Sequence, residues 1–433
     1  MRLKRRDSGL TGDKKPRVFY GYVIVLVGFC IQALSWGMLA TFGTFFSSFV
    51  EEFGWPRATI SGAASLAGVV LGFVGIIAGR LGDRIGPRMV MVGCGAFLGS
   101  AYLLMSRINA PWQLYLFYGV IAGIGFSGMD VLPLSTVARW FARRRGMMTA
   151  IVKIGSGVGM WVLPLVATRL IFSYGWRDAY VYMGIVVLVV IVVAAQFLRR
   201  DPSRKGLLPY GVKEVVGAGE IVADIPHHRE DGFSLREAMH TSQFRILCAM
   251  YAITLFCGNT MLVHIAPHAV DLGFTQASAA GVLATIGAVS IAGRAVIGSA
   301  VDRIGTRRAV IICSIVLLAG LVWLQFASEL WMLYLFAAMY GFSHGGFFTV
   351  LSPLLADLFG LSSHGAIFGG VFFSATAGGA VGPMLAGRIF DVTGSYQLAF
   401  LICGVASAAV LILSLFLRPL GEGGVIDEPK RGA

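Results

Sequence analysis

Gly79-Arg-Leu-Gly-Asp-Arg-Ile-Gly-Pro-Arg-Met89 sets four ionic side chains and three glycines between two apolar runs. The pattern returns at Gly298-Ser-Ala-Val-Asp-Arg-Ile-Gly-Thr-Arg-Arg308. Gly79 matches Gly298, Asp83 matches Asp302, Arg84 matches Arg303, Gly86 matches Gly305 and Arg88 matches Arg307, each pair 219 positions apart. A charged turn used twice at one fixed spacing indicates a chain built from two copies of one design. The offset holds without a gap from Gly54/Gly273 to Gly175/Gly394, through Trp112/Trp331, Tyr115/Tyr334, Gly146/Gly365, Pro164/Pro383 and Arg169/Arg388.

The residues between such turns are apolar. Of 433 residues 57% are hydrophobic and 13% charged, about half the ~25% charge of a soluble domain. Runs of about 20 apolar residues bounded by charged turns predict membrane-spanning helices. Twelve are expected, at about 18–47, 57–78, 88–106, 111–138, 147–172, 177–198, 244–270, 277–298, 309–327, 331–356, 365–387 and 396–417. The fold class is therefore an all-α membrane protein. Six spans per copy is an even number, so both copies enter from the same side and are parallel repeats about an axis along the membrane normal.

Charge orients the chain. Of 35 Lys and Arg, 28 fall in the N-terminal segment, the loops after even-numbered spans and the C-terminal segment. Five lie at the opposite ends, and Lys153 and Arg294 lie inside spans. The excess places both termini in the cytoplasm of a cell-membrane protein. It also accounts for the net charge of +13 without a nucleic-acid partner. The expected organisation is a cytoplasmic tail at 1–17, a six-helix bundle at 18–198, and a polar linker at 199–243 with one short surface helix near 233–239. A second bundle at 244–417 and a tail at 418–433 complete it. The first apolar run is too long for the core of a secretory signal. Six cysteines lie in apolar runs without CxxC or CxxH spacing, so neither a disulfide framework nor a metal site is expected. No cofactor motif or nucleophile–base pair suggests an enzyme.

Ionisable groups inside a bilayer are costly, which makes each a functional candidate. Arg294 precedes Asp302 by eight residues, about 12 Å along a helix. Its planar donor fork fits a carboxylate; the alternative is an arginine that snorkels or pairs with a neighbouring helix. Asp130 and Lys153 lie at similar distances from the turn between spans four and five, so they are expected to pair. Asp130 is also a candidate to titrate during transport, and Lys153 to assist an anion. If they neutralise each other, Arg294 is left as one unbalanced positive charge, which suits a monoanion. In span seven, Asn259 and His264 are polar among apolar neighbours; His264 is a candidate proton acceptor or a loop-capping residue. Tyr340 and His344, four apart in span ten, share a helical face, as do Tyr115 and Tyr118 in span four and Gln32 and Trp36 in span one. Each pair either packs in the core or lines a cavity.

The turn motif resembles G-x-x-x-D-R-x-G-x-R-[RK] of the major facilitator superfamily, with Met89 in place of the last basic residue of the first copy. Within it the chain resembles the monocarboxylate-transporter and oxalate/formate-antiporter group along nearly its whole length. The likeness is carried by Tyr20-Gly-Tyr22, Phe53-Gly-Trp-Pro-Arg57, Arg139-Trp-Phe-Ala-Arg-Arg-Arg-Gly146, His264-Ile-Ala-Pro-His268 and Gly293-Arg294. The resemblance implies a secondary transporter of small organic anions, monocarboxylates first, working by alternating access with a proton as the coupled partner. Anion exchange of the oxalate/formate type, or transport of an unrelated small molecule, are the alternatives. It implies a substrate contact at Arg294; Lys153, Asn259, Tyr118, Tyr340 and His344 are the further substrate candidates and Asp130 and His264 the proton-coupling candidates, each read from its place within a span. Gating falls to Asp83, Arg84, Arg88, Asp302, Arg303 and Arg307, with Arg143–Arg145 as partners for Asp83. The chain departs from the group at Leu39-Ala-Thr41, where animal members place a lysine. Ser290 stands where they place an acid one turn before the arginine, and Phe372 where oxalate/formate members place a lysine.

Overall fold

The computed structural model describes residues 19–217, 220–224 and 232–418. The N-terminal tail and all but Arg418 of the C-terminal tail expected from the sequence lie outside the described residues. Spans one to four are Tyr20–Phe53, Arg57–Ile85, Pro87–Met105 and Pro111–Trp140. Spans five and six form one continuous stretch, Arg145–Phe197, whose helical geometry breaks only at Gly175 (φ 83°, ψ 161°). Spans seven to twelve are Ser242–Asp271, Gln276–Ile304, Thr306–Leu324, Leu330–Phe359, His364–Thr393 and Gln397–Leu415. Large apolar side chains face outward on these helices: Phe172 is 88% exposed and Met384 77%. A water-soluble surface would not tolerate so many, and hydrocarbon is their solvent.

Local chemistry sets the ends. Gly86 and Gly305, the last glycines of the two motifs, adopt φ of 99° and 85°. Each is a one-residue joint between consecutive helices in a region that L side chains avoid. Proline opens spans three and four at the first helical position, where its missing N–H costs nothing.

Within each set of six, equivalent helices pack on equivalent partners: span one on five, and seven on eleven; three on six, and nine on twelve. The two sets meet principally where span two crosses eleven and span five crosses eight. Helix association in lipid lacks a hydrophobic drive and depends on close packing at small residues. A Cβ at Gly79 would lie 2.1 Å from the Gly365 carbonyl oxygen. At the symmetry-related crossing, a Cβ at Gly298 would lie 2.3 Å from the Ala150 Cβ. The first glycine of each motif is therefore where the two sets touch.

The linker differs from the expectation of a polar segment with one short helix. The helix is present at Leu235–His240, opened by a capping box in which Glu237 N–H donates to Ser234 Oγ and Ser234 N–H donates to Glu237. Two strands, Lys213–Gly217 and Glu220–Asp224, also form an antiparallel hairpin. Alternation too short to stand out from its polar surroundings had hidden them.

Candidate functional site

The buried charges converge at the crossing of spans five and eight. Asp130 is 1%, Lys153 2% and Arg294 5% exposed. Lys153 Nζ donates to Asp130 Oδ1, closing the expected ion pair. Gln32 Nε2 donates to the same oxygen at 2.7 Å, and to the Met129 carbonyl at 2.7 Å. That carbonyl is available for a physical reason: its helical partner four residues on is Pro133, which has no N–H. Span four is irregular here, running through a π-helical stretch at Tyr115–Ala122 and a turn before the helix Val131–Trp140. Broken backbone at membrane depth persists only where protein groups satisfy it, and Gln32 does so.

Arg294 reaches across the interface. Its Nη1 donates to the Lys153 carbonyl at 2.8 Å and to Ser156 Oγ at 3.1 Å, while Nε has no partner. A Cβ at Gly157 would lie 2.8 Å from Nη1, so a larger residue there would push the guanidinium out of its present place. Lys153 Nζ lies 5.6 Å from the Trp36 ring centroid and 5.1 Å from that of Phe348. His344 packs on Phe348 and Tyr340 on His344. Trp36 Nε1, Asp130 Oδ2, Tyr340 Oη and His344 Nδ1 are buried and unpartnered among the described residues. Trp36, Phe348 and, behind it, His344 gather around Lys153, whereas the Tyr340 hydroxyl lies toward Gly258 of span seven.

The other sequence candidates lie elsewhere. Tyr118 is 12 residues before Asp130, about 18 Å along the span, stacked on Phe42 with its hydroxyl 3.5 Å from the Leu39 carbonyl. Asn259 Nδ2 donates to the Gly379 carbonyl at 2.9 Å. Pro383, four residues beyond, leaves that carbonyl unpaired, so the asparagine ties span seven to eleven. His264 Nε2 meets the Pro383 carbonyl at 3.0 Å and its ring packs on Tyr396, the same tie one step outward.

The motif residues occupy the basic end. Asp302 accepts from the N–H groups of Gly146 and Met147 at the start of span five, at 2.8 and 2.9 Å. Asp83 accepts from Ala366 N–H at the start of span eleven, at 3.0 Å. Its cationic partner is Arg139 at 3.1 Å, a correction to the expected Arg143–Arg145; Arg145 instead faces Asp357 at 3.5 Å. Arg139 lies on the last turn of span four, whereas Arg143 and Arg144 lie in the loop after it. Arg88 donates to Gln196, and Arg307 to the Leu415 carbonyl at 2.8 Å. These are symmetry-related bonds within each set of six, not across the interface. Arg84 and Arg303 are exposed. Among the described residues, every hydrogen bond between the two sets lies at Arg294 or nearer the basic end. The molecule is closed at that end.

Three comparisons agree with this architecture. The sequence model of the Major Facilitator Superfamily matches residues 25–299 and 280–432. The chain is 24% identical to human Monocarboxylate transporter 7, over 98% of this chain and 90% of that one. It is 27% identical to Monocarboxylate transporter 13 of Rattus norvegicus, over 91% and 88% respectively. In structure it resembles the proton:xylose symporter XylE, with a TM-score of 0.71 at 17% identity over 93% and 96% of the two chains. The human organic anion transporter MFSD10 gives 0.68 at 15% identity over 92% and 100%. Two copies of the turn motif, twelve spans in parallel repeats and a match along nearly all the chain make it a multi-pass membrane transporter that belongs to the Major Facilitator Superfamily.

Proposed function

We propose that the protein is a secondary transporter of small monocarboxylates, with Arg294 as the carboxylate receptor. One observation carries the reading: Asp130 is already paired with Lys153, and among the described residues no carboxylate lies within ion-pair distance of the buried Arg294. A guanidinium with an unpartnered Nε binds a carboxylate by charge-assisted hydrogen bonds, and one net charge selects a monoanion. The relatives named for monocarboxylate transport support the substrate class. Residues 18–198 would rock against 244–417 about this site. Charge asymmetry puts the basic end, and both termini, in the cytoplasm of the cell membrane, so the conformation described is closed to the inside.

Proton symport is the coupling proposed, with Asp130 as the carrier: its Oδ2 is unpartnered, and protonation would release Lys153 toward the anion. A second reading, one-for-one exchange of anions, draws on the same geometry. On that reading the Asp130–Lys153 pair stays closed throughout the cycle and one carboxylate replaces another at Arg294. Reconstituted in liposomes, wild type should accumulate a monocarboxylate when a pH gradient is imposed, and Arg294→Ala should lose uptake by at least about 100-fold, the weight of two charge-assisted bonds. Uptake unchanged in Arg294→Ala, with the variant monodisperse, would remove the proposal. Uptake that needs internal substrate and ignores the pH gradient would favour exchange.

A further inference from the structure

We propose that the linker between spans six and seven is a working part of the basic-end gate, with Asp201, Tyr210 and Phe233 as its positioning residues. Arg139 is the hub of that gate. It pairs with Asp83 at 3.1 Å, donates to the Ser362 carbonyl of the other set at 3.3 Å, and faces Asp201 at 3.5 Å. Asp201 belongs to the linker. A linker carboxylate therefore shares the cation that spans the interface.

The backbone repeats the point at both ends of the linker. Tyr210 N–H donates to the Trp140 carbonyl at 2.9 Å, and the Tyr210 carbonyl accepts from Ala142 and Arg143 N–H at 3.1 and 3.0 Å. Trp140 Nε1 donates to the Arg199 carbonyl at 2.8 Å, and the Tyr210 ring packs on Phe19, Tyr22 and Phe141. Near the far end, Phe233 N–H donates to the Phe359 carbonyl at 3.0 Å, and Ser362 Oγ donates to the Phe233 carbonyl at 3.3 Å. The two rings meet edge to face at 5.9 Å.

Trp140 and Phe359 are separated by the same 219 positions that relate the two copies. The linker thus docks on equivalent loops of the two sets, the very loops that Arg139 joins. A connector required only for continuity would have no reason to pair with both. Asp201 shares the guanidinium that bonds Asp83 of one set and the Ser362 carbonyl of the other, so it helps to hold Arg139 where it joins the loops, and that contact must be released on opening.

The test reads opening without substrate, so its failure is separable from that of the transport reading. Ser352 is fully buried and donates to the Leu134 carbonyl across the interface at 3.3 Å. In full-length protein carrying Ser352→Cys, a membrane-impermeant maleimide added at the basic end reports opening, with the parent lacking that cysteine as background. Arg139→Gln sets the reference for a weakened gate. Asp201→Asn should raise the labelling rate by about threefold, the scale of one partly exposed ion pair, and Asp201→Asn with Phe233→Ala should raise it further. Labelling that rises in Arg139→Gln but stays at the parental rate in Asp201→Asn and in the double variant overturns the proposal. So does equal labelling in all of them. Should Phe233→Ala disturb folding, the isosteric Asp201→Asn decides alone.

Discussion

The crossing of spans two and eleven and the crossing of spans five and eight are related by the repeat, yet they do different work. At their basic ends they match. Each brings two glycines into backbone contact and caps the start of a helix with a motif aspartate. Deeper in they diverge. The two–eleven crossing continues through Gly75 against Gly369 and Phe73 against Phe373. The five–eight crossing carries Arg294, Lys153 and Ser156. Arg294 stands where the first copy has Gly75, and Lys153 where the second has Phe372. Duplication supplied two equal hinges, and the loss of equality in one of them supplied a site.

The most damaging way to disturb the deep part of the five–eight crossing is Asp130→Asn. Removing one partner of a buried pair costs about 3–5 kcal/mol, so yield and melting temperature in detergent should fall steeply. Lys153→Met added to it should recover part of the loss; no recovery would mean that Lys153 draws its stability from elsewhere. Next come the glycines. Overpacking costs about 1–3 kcal/mol, and Gly79→Ala should reach the upper end because its clash is with the Gly365 backbone, which cannot turn aside. Gly298→Ala meets the Ala150 Cβ at 2.3 Å and the Gly146 carbonyl oxygen at 2.9 Å, neither of which can rotate away, and should cost a similar amount. Both should raise maleimide access from the basic end, and a rise in only one of them would contradict the match of the two basic ends.

The aspartates should also differ. Asp302 accepts two bonds from the other set, from Gly146 and Met147 N–H, while Asp83 accepts one, from Ala366 N–H, its Arg139 pair lying within the first set. Asp302→Asn should therefore open the basic end more than Asp83→Asn, by roughly one hydrogen bond to a charged group, about 1.5–3 kcal/mol. Identical uptake asymmetry in the two variants would contradict this.

The smallest effect expected is at the opposite end, where Glu52 accepts from Trp176 Nε1 and pairs with Arg177. The Trp176 bond, then the Arg177 bond, hold its carboxyl below the ordinary range. A depressed folded value means that the contribution is complete above the unfolded pKa of about 4.3 and is lost as pH falls through the lower folded value. Because the pair is exposed, it is worth no more than about 1 kcal/mol. Glu52→Gln should lower the melting temperature slightly at pH 7, with the difference from wild type shrinking as pH falls below about 4.3 and vanishing once the folded carboxyl is protonated. A difference that persists in acid would place the effect in packing instead.

Much of this was legible in the chain. The 219-residue echo contains the repeat, the parity of spans and the crossings, because a duplicated hinge needs the same glycines twice. Depth suggested the Asp130–Lys153 pair, since two residues equally far from one turn can meet when they face each other, and two lone charges in hydrocarbon would be costly. Asn259 misled because polarity in a span looks the same whether a side chain awaits a ligand or repairs a carbonyl. The cue was Pro383, which leaves the Gly379 carbonyl bare. Arg139 was overlooked for the triple arginine that follows it, and only the way span four ends decides which of the four reaches Asp83. The docking of Tyr210 and Phe233 is carried by backbone groups, which leave no mark in residue type.

Arg294 has an electrical consequence. A charge fixed about 12 Å inside one edge of the membrane sits within the transmembrane voltage, where a full crossing of one elementary charge is worth about 2.3 kcal/mol per 100 mV. An empty carrier would present that charge to the field each time it reorients. On the proposed symport, a bound monoanion would cancel Arg294 while the proton on Asp130 leaves Lys153 as the uncompensated cation. Loaded and empty carriers would then carry the same net charge, and the field would act on both halves of the cycle alike. On the exchange reading the loaded carrier would be neutral at this depth, so the voltage dependence of the reorientation step separates the two couplings.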